Sequence, residues 1–511
     1  MKKSFILIIL IASLASPVDL LAQRAGGKAG PRKPVAQTPP PTPVAQPVAT
    51  PVPQPPPAKP VPVVVVKDQT ISTAEFEPEL RREVESVDYQ IELARASVLD
   101  LQINTMLLQV EAKKRGITSH RLYELEVLRK IPVPTPAQIK KVIDDNPTQF
   151  AGVDPAVAGP QVAAYMHDEF EQKLSDDLVK RLRVSNQVVK GVDFNSPNVS
   201  PDATVATIAG QPLKAAVLNE RLKPIIYKIR MSAYELTKQR ADQMVDDLLL
   251  LDEAGRRNIG PEVIVRTEIS EKIKTPSDAE VTRFYNENKE RIKGELNVVR
   301  NEVVSYLQSE DKLRLEKQLS ERLRKDANVR WLISEPVQPV QNISVDDDPS
   351  RGAPNAPVTV VEFTDFQCPA CGAMHPVLDE VLNSYGTKVR FVVRDFPLAM
   401  HANAHKAAEA ANAAKTQGKF FEYIAILFKH QNALDVPSLK KYASELGLDR
   451  ARFDSELDRG VYEAEIKHDM DDGEIYGVGS TPTIFINGVQ LKVLSADGLR
   501  AAIDKALATP K

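Results

Sequence analysis

The chain resembles itself. Shifted by 142 residues, 66–72 falls on 208–214, and EAKKRGI at 111–117 falls on EAGRRNI at 253–259. Thr135-Pro136 meets Thr275-Pro276 after a two-residue slip, and 139–146 then returns to register on 281–288. Matches at one offset over so long a stretch point to duplication of a structural unit. Each copy opens on a strand-like piece and continues as helices. Ile103, Met106, Leu107 and Val110 recur at the spacing of one helix face, as do Val245, Leu248 and Leu249. Gly116 and Asn258 stand where a helix C-terminus prefers Gly or Asn. Thr135 and Thr275, each before Pro, read as helix starts. Long helices over 161–186 and 295–326 close the copies.

The chain has 511 residues and 2 cysteines, Cys368 and Cys371. Two cysteines build no disulfide framework. The apolar, β-branched run 358–365 (VTVVEFTD) reads as a buried strand. A helical pattern follows over 372–384, so Cys368-Pro369-Ala370-Cys371 sits at a strand-to-helix junction. A helix N-terminus carries partial positive charge and unpaired N–H groups, which stabilise a thiolate. The thiolate is the attacking species in disulfide exchange. Cys368, nearer the helix end, is the expected nucleophile, and Cys371, a turn deeper, the resolving thiol. Glu362 lies on the strand below the pair. It is either a buried carboxylate that moves protons or a partly solvated strand-edge residue. A structural zinc site wants four ligands, and no second cysteine pair exists. His401 and His405 stand four apart, but Ala402 takes the place of the glutamate in HExxH. No metal or organic cofactor is expected. His375 reads as a surface residue and His401 as a loop or helix-start residue.

Further strands are expected at 388–396, 484–486 and 489–494, the last two joined by an Asn487-Gly488 turn. A helix is expected at 495–508, and mostly helical residues between 397 and 476. Pro482, at the mouth of a strand, is a candidate cis proline.

The first residues run Lys2-Lys3, then apolar 5–14, then small residues, the order of an export signal, either cleaved or kept as an uncleaved anchor. Of 39 prolines, 14 lie between Pro31 and Pro62. Such a tract cannot form a core and reads as an extended spacer or a passive tail. A net charge of −3 argues against a nucleic-acid partner.

Two resemblances follow from these motifs. VATIAGQPLK, LLLLDEAGRRNI and TPSDAEVTRFYNENKERI, with their first-copy counterparts, resemble the chaperone region of the SurA/PpiC family. That resemblance implies a polypeptide-binding or dimerising helical module. No stretch has room for the family's prolyl-isomerase domain. VVEFTDFQCPAC, VRDFPL followed by His401, QGKFF and GVGSTPTIFING resemble the DsbA-like group of the thioredoxin superfamily. This implies a thioredoxin fold with a helical insertion, a cis Pro482 beside the cysteines, and Thr481 offering backbone groups to a bound peptide. It also places Glu362 at a buried acidic position. Ala370 departs from the histidine of the group's strongest oxidants.

The expected organisation is multidomain: signal 1–22, Pro-rich linker 23–64, helical repeats 65–192 and 203–334, linker 335–344, and an α/β thioredoxin-type domain at 345–511. The expected function is an exported, periplasmic or otherwise extracytoplasmic, thiol–disulfide oxidoreductase. Its partners would be unfolded or disulfide-containing secreted proteins and a redox partner, such as a membrane oxidase or reductase. The repeats would bind clients or make a homodimer. The alternative is a chaperone in which the redox domain is secondary.

Overall fold

The computed structural model describes residues 59–509, apart from 148, 149, 151, 197, 290 and 346. Residues 1–22, expected to be an export signal, and residues 23–58 of the expected spacer lie outside these residues. In chain order the first elements are strands β1 (Pro62–Val66) and β2 (Gln69–Ser72), then helices α1 (Pro78–Glu85), α2 (Val87–Arg115), α3 (Ser119–Glu126), α4 (Pro136–Asp145) and α5 (Pro155–Ser185). Strands β3 (Val188–Lys190), β4 (Thr204–Ile208) and β5 (Gln211–Lys214) follow, then α6 (Ala215–Arg257), α7 (Pro261–Glu268), α8 (Asp278–Glu287), α9 (Leu296–Lys325) and β6 (Arg330–Trp331). β1 starts inside the tract read as spacer, because the four valines after Pro62 favour a strand and a first-residue proline needs no ladder donor.

By compactness the chain divides into two units. Of the described residues, one holds 59–90, Glu126–Ser175 and Met231–Glu335; the other holds Ile91–Leu125, Asp176–Arg230 and 336–509. In the first unit, β2, β1 and β6 form a sheet in that order. Val63, Val64 and Val66 bury against Ala241, Val245 and Leu249 of α6. Arg324 of α9 donates to Asp242 at 2.8 Å and Asp246 at 2.7 Å. In the second unit, β3, β4 and β5 form a second three-stranded sheet.

The two sheets are built alike. Pro62 pairs with Ser72 and Val64 with Ile71; shifted by 142, Thr204 pairs with Lys214 and Ala206 with Leu213. Both ladders carry an irregularity after their first pair. Each hairpin is completed by the closing strand of the other copy, β6 on β1 and β3 on β4. Gly116 and Asn258, at the same offset, are both left-handed, as a C-terminal cap requires. One expectation changes. Thr135 caps α4 in a capping box with Gln138, but α8 is capped by Ser277 with Glu280, not by Thr275. Ser277 lies 142 residues after Thr135, so the apparent slip at Thr275-Pro276 disappears. The reciprocal cap chose the helix start over the Thr-Pro signal, because it satisfies two backbone donors at once.

The C-terminal region has β7 (Ser350–Gly352), β8 (Val358–Thr364), α10 (Pro369–Tyr385), β9 (Val389–Asp395), α11 (Ala404–Lys415), α12 (Phe420–Lys429), α13 (Val436–Glu445), α14 (Arg450–Asp458), α15 (Glu463–Tyr476), β10 (Thr483–Ile486), β11 (Val489–Gln490) and α16 (Ala496–Ala508). The sheet order is β11-β10-β8-β9-β7. β8 and β9 are parallel, and β10 runs antiparallel to β8. The strand expected at 489–494 is two residues long, and the edge strand β7 falls where a domain start was expected. Alternation along β8 divides the core. Val358 and Val360 pack with Met374, Leu378 and Val381 of α10, while Val361 and Phe363 pack with Val392, Phe396 and Phe485 on the other face.

Candidate active site

The alternation places Glu362. Two residues beyond Val360, it lies on the α10 face of β8, flanked by Val393 of β9 and Ile484 of β10. It is 2% exposed, so the strand-edge alternative fails on burial and on the sheet order. Its Oε1 has no hydrogen-bond partner among the described residues. Burial pushes its carboxyl up to about 7; Thr364 and Arg351 pull it down and Asp379 adds to the rise.

Cys368 is the N-cap of α10 and Pro369 its first residue, where no N–H partner is needed. Both cysteines are free thiols. Cys368 keeps 7% exposure and Cys371 none. Burial pushes the Cys371 thiol up to about 12, and the Glu362 charge adds to the rise. The Cys368 sulfur donates to the Thr481 carbonyl at 3.4 Å. Thr481-Pro482 is a cis peptide immediately before β10. All five residues singled out in the sequence therefore meet at one end of the sheet.

Residues 344–505 match the model of a thioredoxin family. This part of the chain is a thioredoxin-like domain. Among curated proteins, the Na+/H+ antiporter NhaA 3 of Salinispora tropica is 40% identical over 171 residues, 33% of this chain and 26% of that protein. The antiporter NhaA of Herminiimonas arsenicoxydans is 33% identical over 168 residues, again 33% of this chain and 26% of the relative. The chain thus spans about a quarter of the length of these relatives. Among solved structures, a thioredoxin-like oxidoreductase from Silicibacter pomeroyi is 26% identical, with TM-score 0.30, and the match covers 32% of this chain and 94% of that one. Oxidised BdbD from Bacillus subtilis is 23% identical, with TM-score 0.30 and coverage of 32% and 96%. Among the described residues no helix is long and apolar enough to cross a membrane.

Three groups in the thioredoxin-like domain escaped the sequence reading. The first is Asp365, which is buried. Its backbone carbonyl accepts from Cys368 N at 3.1 Å, and its carboxylate accepts from Gln367 N at 2.7 Å and Leu398 N at 2.9 Å. His401 Nδ1 lies 2.7 Å from the same carboxylate, so the residue read as a loop or helix-start position ties its segment to the cysteine segment. The second is Gln431, which donates from the helical insert to backbone carbonyls beside Cys368. The third is Arg394, fully buried, with Asp469 at 2.7 Å, Asp472 at 3.0 Å and Asp348 at 3.1 Å around its guanidinium. An Arg-Asp pair inside the apolar run KVRFVVRDF was the available signal for this group, since lone charges are not buried unpaired. His375, expected at the surface, is largely covered: its ring packs on Phe428 at 4.7 Å and its Nε2 faces Asp379 at 3.6 Å. Burial holds it below the usual histidine range.

Proposed function

We propose that the chain is an exported thiol–disulfide oxidoreductase that acts on secreted proteins through Cys368 and Cys371. The observation that carries this reading is the junction itself, where the thiol of the N-cap residue Cys368 faces the Thr481 carbonyl at 3.4 Å above a buried second thiol. In the oxidising direction a client thiolate attacks Cys368 Sγ of the internal disulfide. The new sulfur–sulfur bond forms, the Cys368–Cys371 bond breaks, and Cys371 leaves with the electron pair. Glu362 supplies the proton that Cys371 takes up. A second client thiolate attacks the client sulfur of the mixed disulfide, and Cys368 leaves as a thiolate. Two electrons pass from client to protein, the client's two thiol protons go to solvent, Glu362 regains its proton from solvent, and a separate redox partner removes the electrons. In the mixed disulfide Cys368 has no S–H, so the Thr481 carbonyl is released to accept from an extended client backbone beside Pro482. No metal or organic cofactor enters these steps.

Insulin reduction and reduced-RNase refolding test the proposal. Cys368→Ser is expected to bring both to the level of buffer alone; a variant as active as the wild type refutes the reading. The redox state of the pair in cells sets the direction. A mostly oxidised pair marks an oxidase, and a mostly reduced pair an isomerase or reductase.

A second reading gives the helical repeats, which resemble SurA/PpiC chaperones, the main role of holding unfolded clients. It rests on large apolar side chains left in solvent on those helices, among them Leu101, Val184, Leu251, Val298 and Leu313. The full chain with both cysteines replaced by serine is then expected to suppress aggregation of an unfolded client as well as the wild type does. Loss of suppression, or none in either protein, leaves the repeats as a spacer or dimer stem. The antiporter relatives share only about a quarter of their length with the chain, so transport is not proposed for it.

A further inference from the structure

The helical insert reaches the cysteine segment through one side chain. Gln431 follows α12, and its Nε2 donates to Phe366 O at 3.1 Å and to Cys368 O at 2.7 Å. Both carbonyls belong to the turn that carries the chain from β8 into α10. The Cys368 carbonyl is also the first acceptor of the helix, taking Gly372 N at 3.1 Å. The carbonyl next to the attacking sulfur therefore carries two donors. A carbonyl oxygen is the negative end of its dipole, and it opposes a thiolate built on the same residue. An amide that donates to it offsets part of that negative charge and fixes the helix end whose N–H groups favour the thiolate. Gly372 leaves the amide its place: a Cβ there would lie 2.3 Å from Gln431 Oε1.

We propose that Gln431 is a positioning residue that holds the Cys368 carbonyl and favours the reduced pair, so that the helical insert tunes how strongly the site oxidises. The inference rests on the proposed redox role of Cys368 and Cys371. Its sign follows from linkage: what stabilises the thiolate stabilises the dithiol state, and a pair with a stabilised dithiol is a stronger oxidant. Loss of the amide shifts the equilibrium toward the disulfide.

The test equilibrates the full chain with glutathione buffers at pH 7 and reads the oxidised fraction. Gln431→Leu removes the donor at similar volume. Gly372→Ala leaves Gln431 intact and displaces it. Each is expected to move the equilibrium constant about five- to tenfold toward the disulfide, a tenfold change being about 30 mV. Alkylation of Cys368 at pH 6 is expected to slow by a similar factor. The double variant should add little to either single one. Alanine is a better helix former than glycine, so a purely structural role predicts a firmer helix and no redox change for Gly372→Ala. If Gln431→Leu fails to fold, Gly372→Ala still decides. Wild-type and variant constants within twofold of each other overturn this inference and leave the proposed function standing. A wild-type pair that never forms an internal disulfide overturns both.

Discussion

Replacing Arg394 with leucine is expected to unfold the thioredoxin-like domain under conditions where the wild type is folded. The guanidinium is fully buried and pairs with the carboxylates of Asp348, Asp469 and Asp472. It also lies over the Phe363 ring at 5.4 Å, so its removal touches the core of the second sheet face. Breaking a buried pair by removing one partner costs about 3–5 kcal/mol, because the remaining charges stay buried without compensation. Denaturant titration followed by far-UV circular dichroism measures the loss, and a loss under about 1 kcal/mol would contradict the argument. The pH dependence has a definite sign. Burial raises Asp469, and it raises Asp395, whose backbone N–H donates to Asp469, up to about 8. A carboxyl raised in the folded state contributes stability that is complete below its unfolded value and fades as pH rises through its folded value. For Asp395 that window runs from the ordinary 3.8 to about 8. Without Arg394 the carboxylates around it rise further, so the variant's deficit should shrink toward pH 4 and widen toward pH 8.

The second large effect is kinetic. Glu362→Gln is expected to slow internal resolution of a Cys368 mixed disulfide about a hundredfold at pH 7–8, within the usual range for a proton-transfer group. The reason lies in the resolving thiol. With the Cys371 thiol pushed up to about 12, little of it is present as the attacking thiolate at pH 7. A carboxyl raised to about 7 accepts that proton at neutral pH, whereas an ordinary one at 4.5 is too weak a base to do so well. Stopped-flow measurement of resolution should show the wild-type rate rising through pH about 7, with the rise absent in Glu362→Gln. Equal rates in the two proteins would remove Glu362 from the mechanism. Stability should move the other way. Glu362, raised in the folded state, contributes stability below pH 4.5 that is lost as pH rises through about 7, so the glutamine variant should be the more stable protein above pH 7.

Local chemistry was legible. The strand–Cys368–helix junction and the Thr481-Pro482 turn depend on neighbours within a few residues, where side-chain period and backbone preference decide. The 142-residue offset was legible for the same reason, since duplication writes itself into the sequence. Asp365–His401, Gln431 and the Arg394 cage were not. Their partners stand 36, 63 and 75 residues away along the chain, and no local spacing records which will meet. Thr275 failed for a related reason: a helix-start signal is a competition, and Ser277 with Glu280 offered the backbone two bonds.

The sequence by itself determined the cysteine pair's place at a strand-to-helix junction and the 142-residue repeat, because each is carried by residue type and short-range period. Tertiary structure alone decided three things. It closed each hairpin with a strand from the other copy, because an unpaired hairpin edge is satisfied by whichever strand the fold brings beside it. It buried Glu362 with no partner for Oε1 among the described residues, and burial pushes that carboxyl up to about 7. And it set a glutamine from the helical insert against the Cys368 carbonyl, so that the environment of the sulfur comes from a segment 63 residues away.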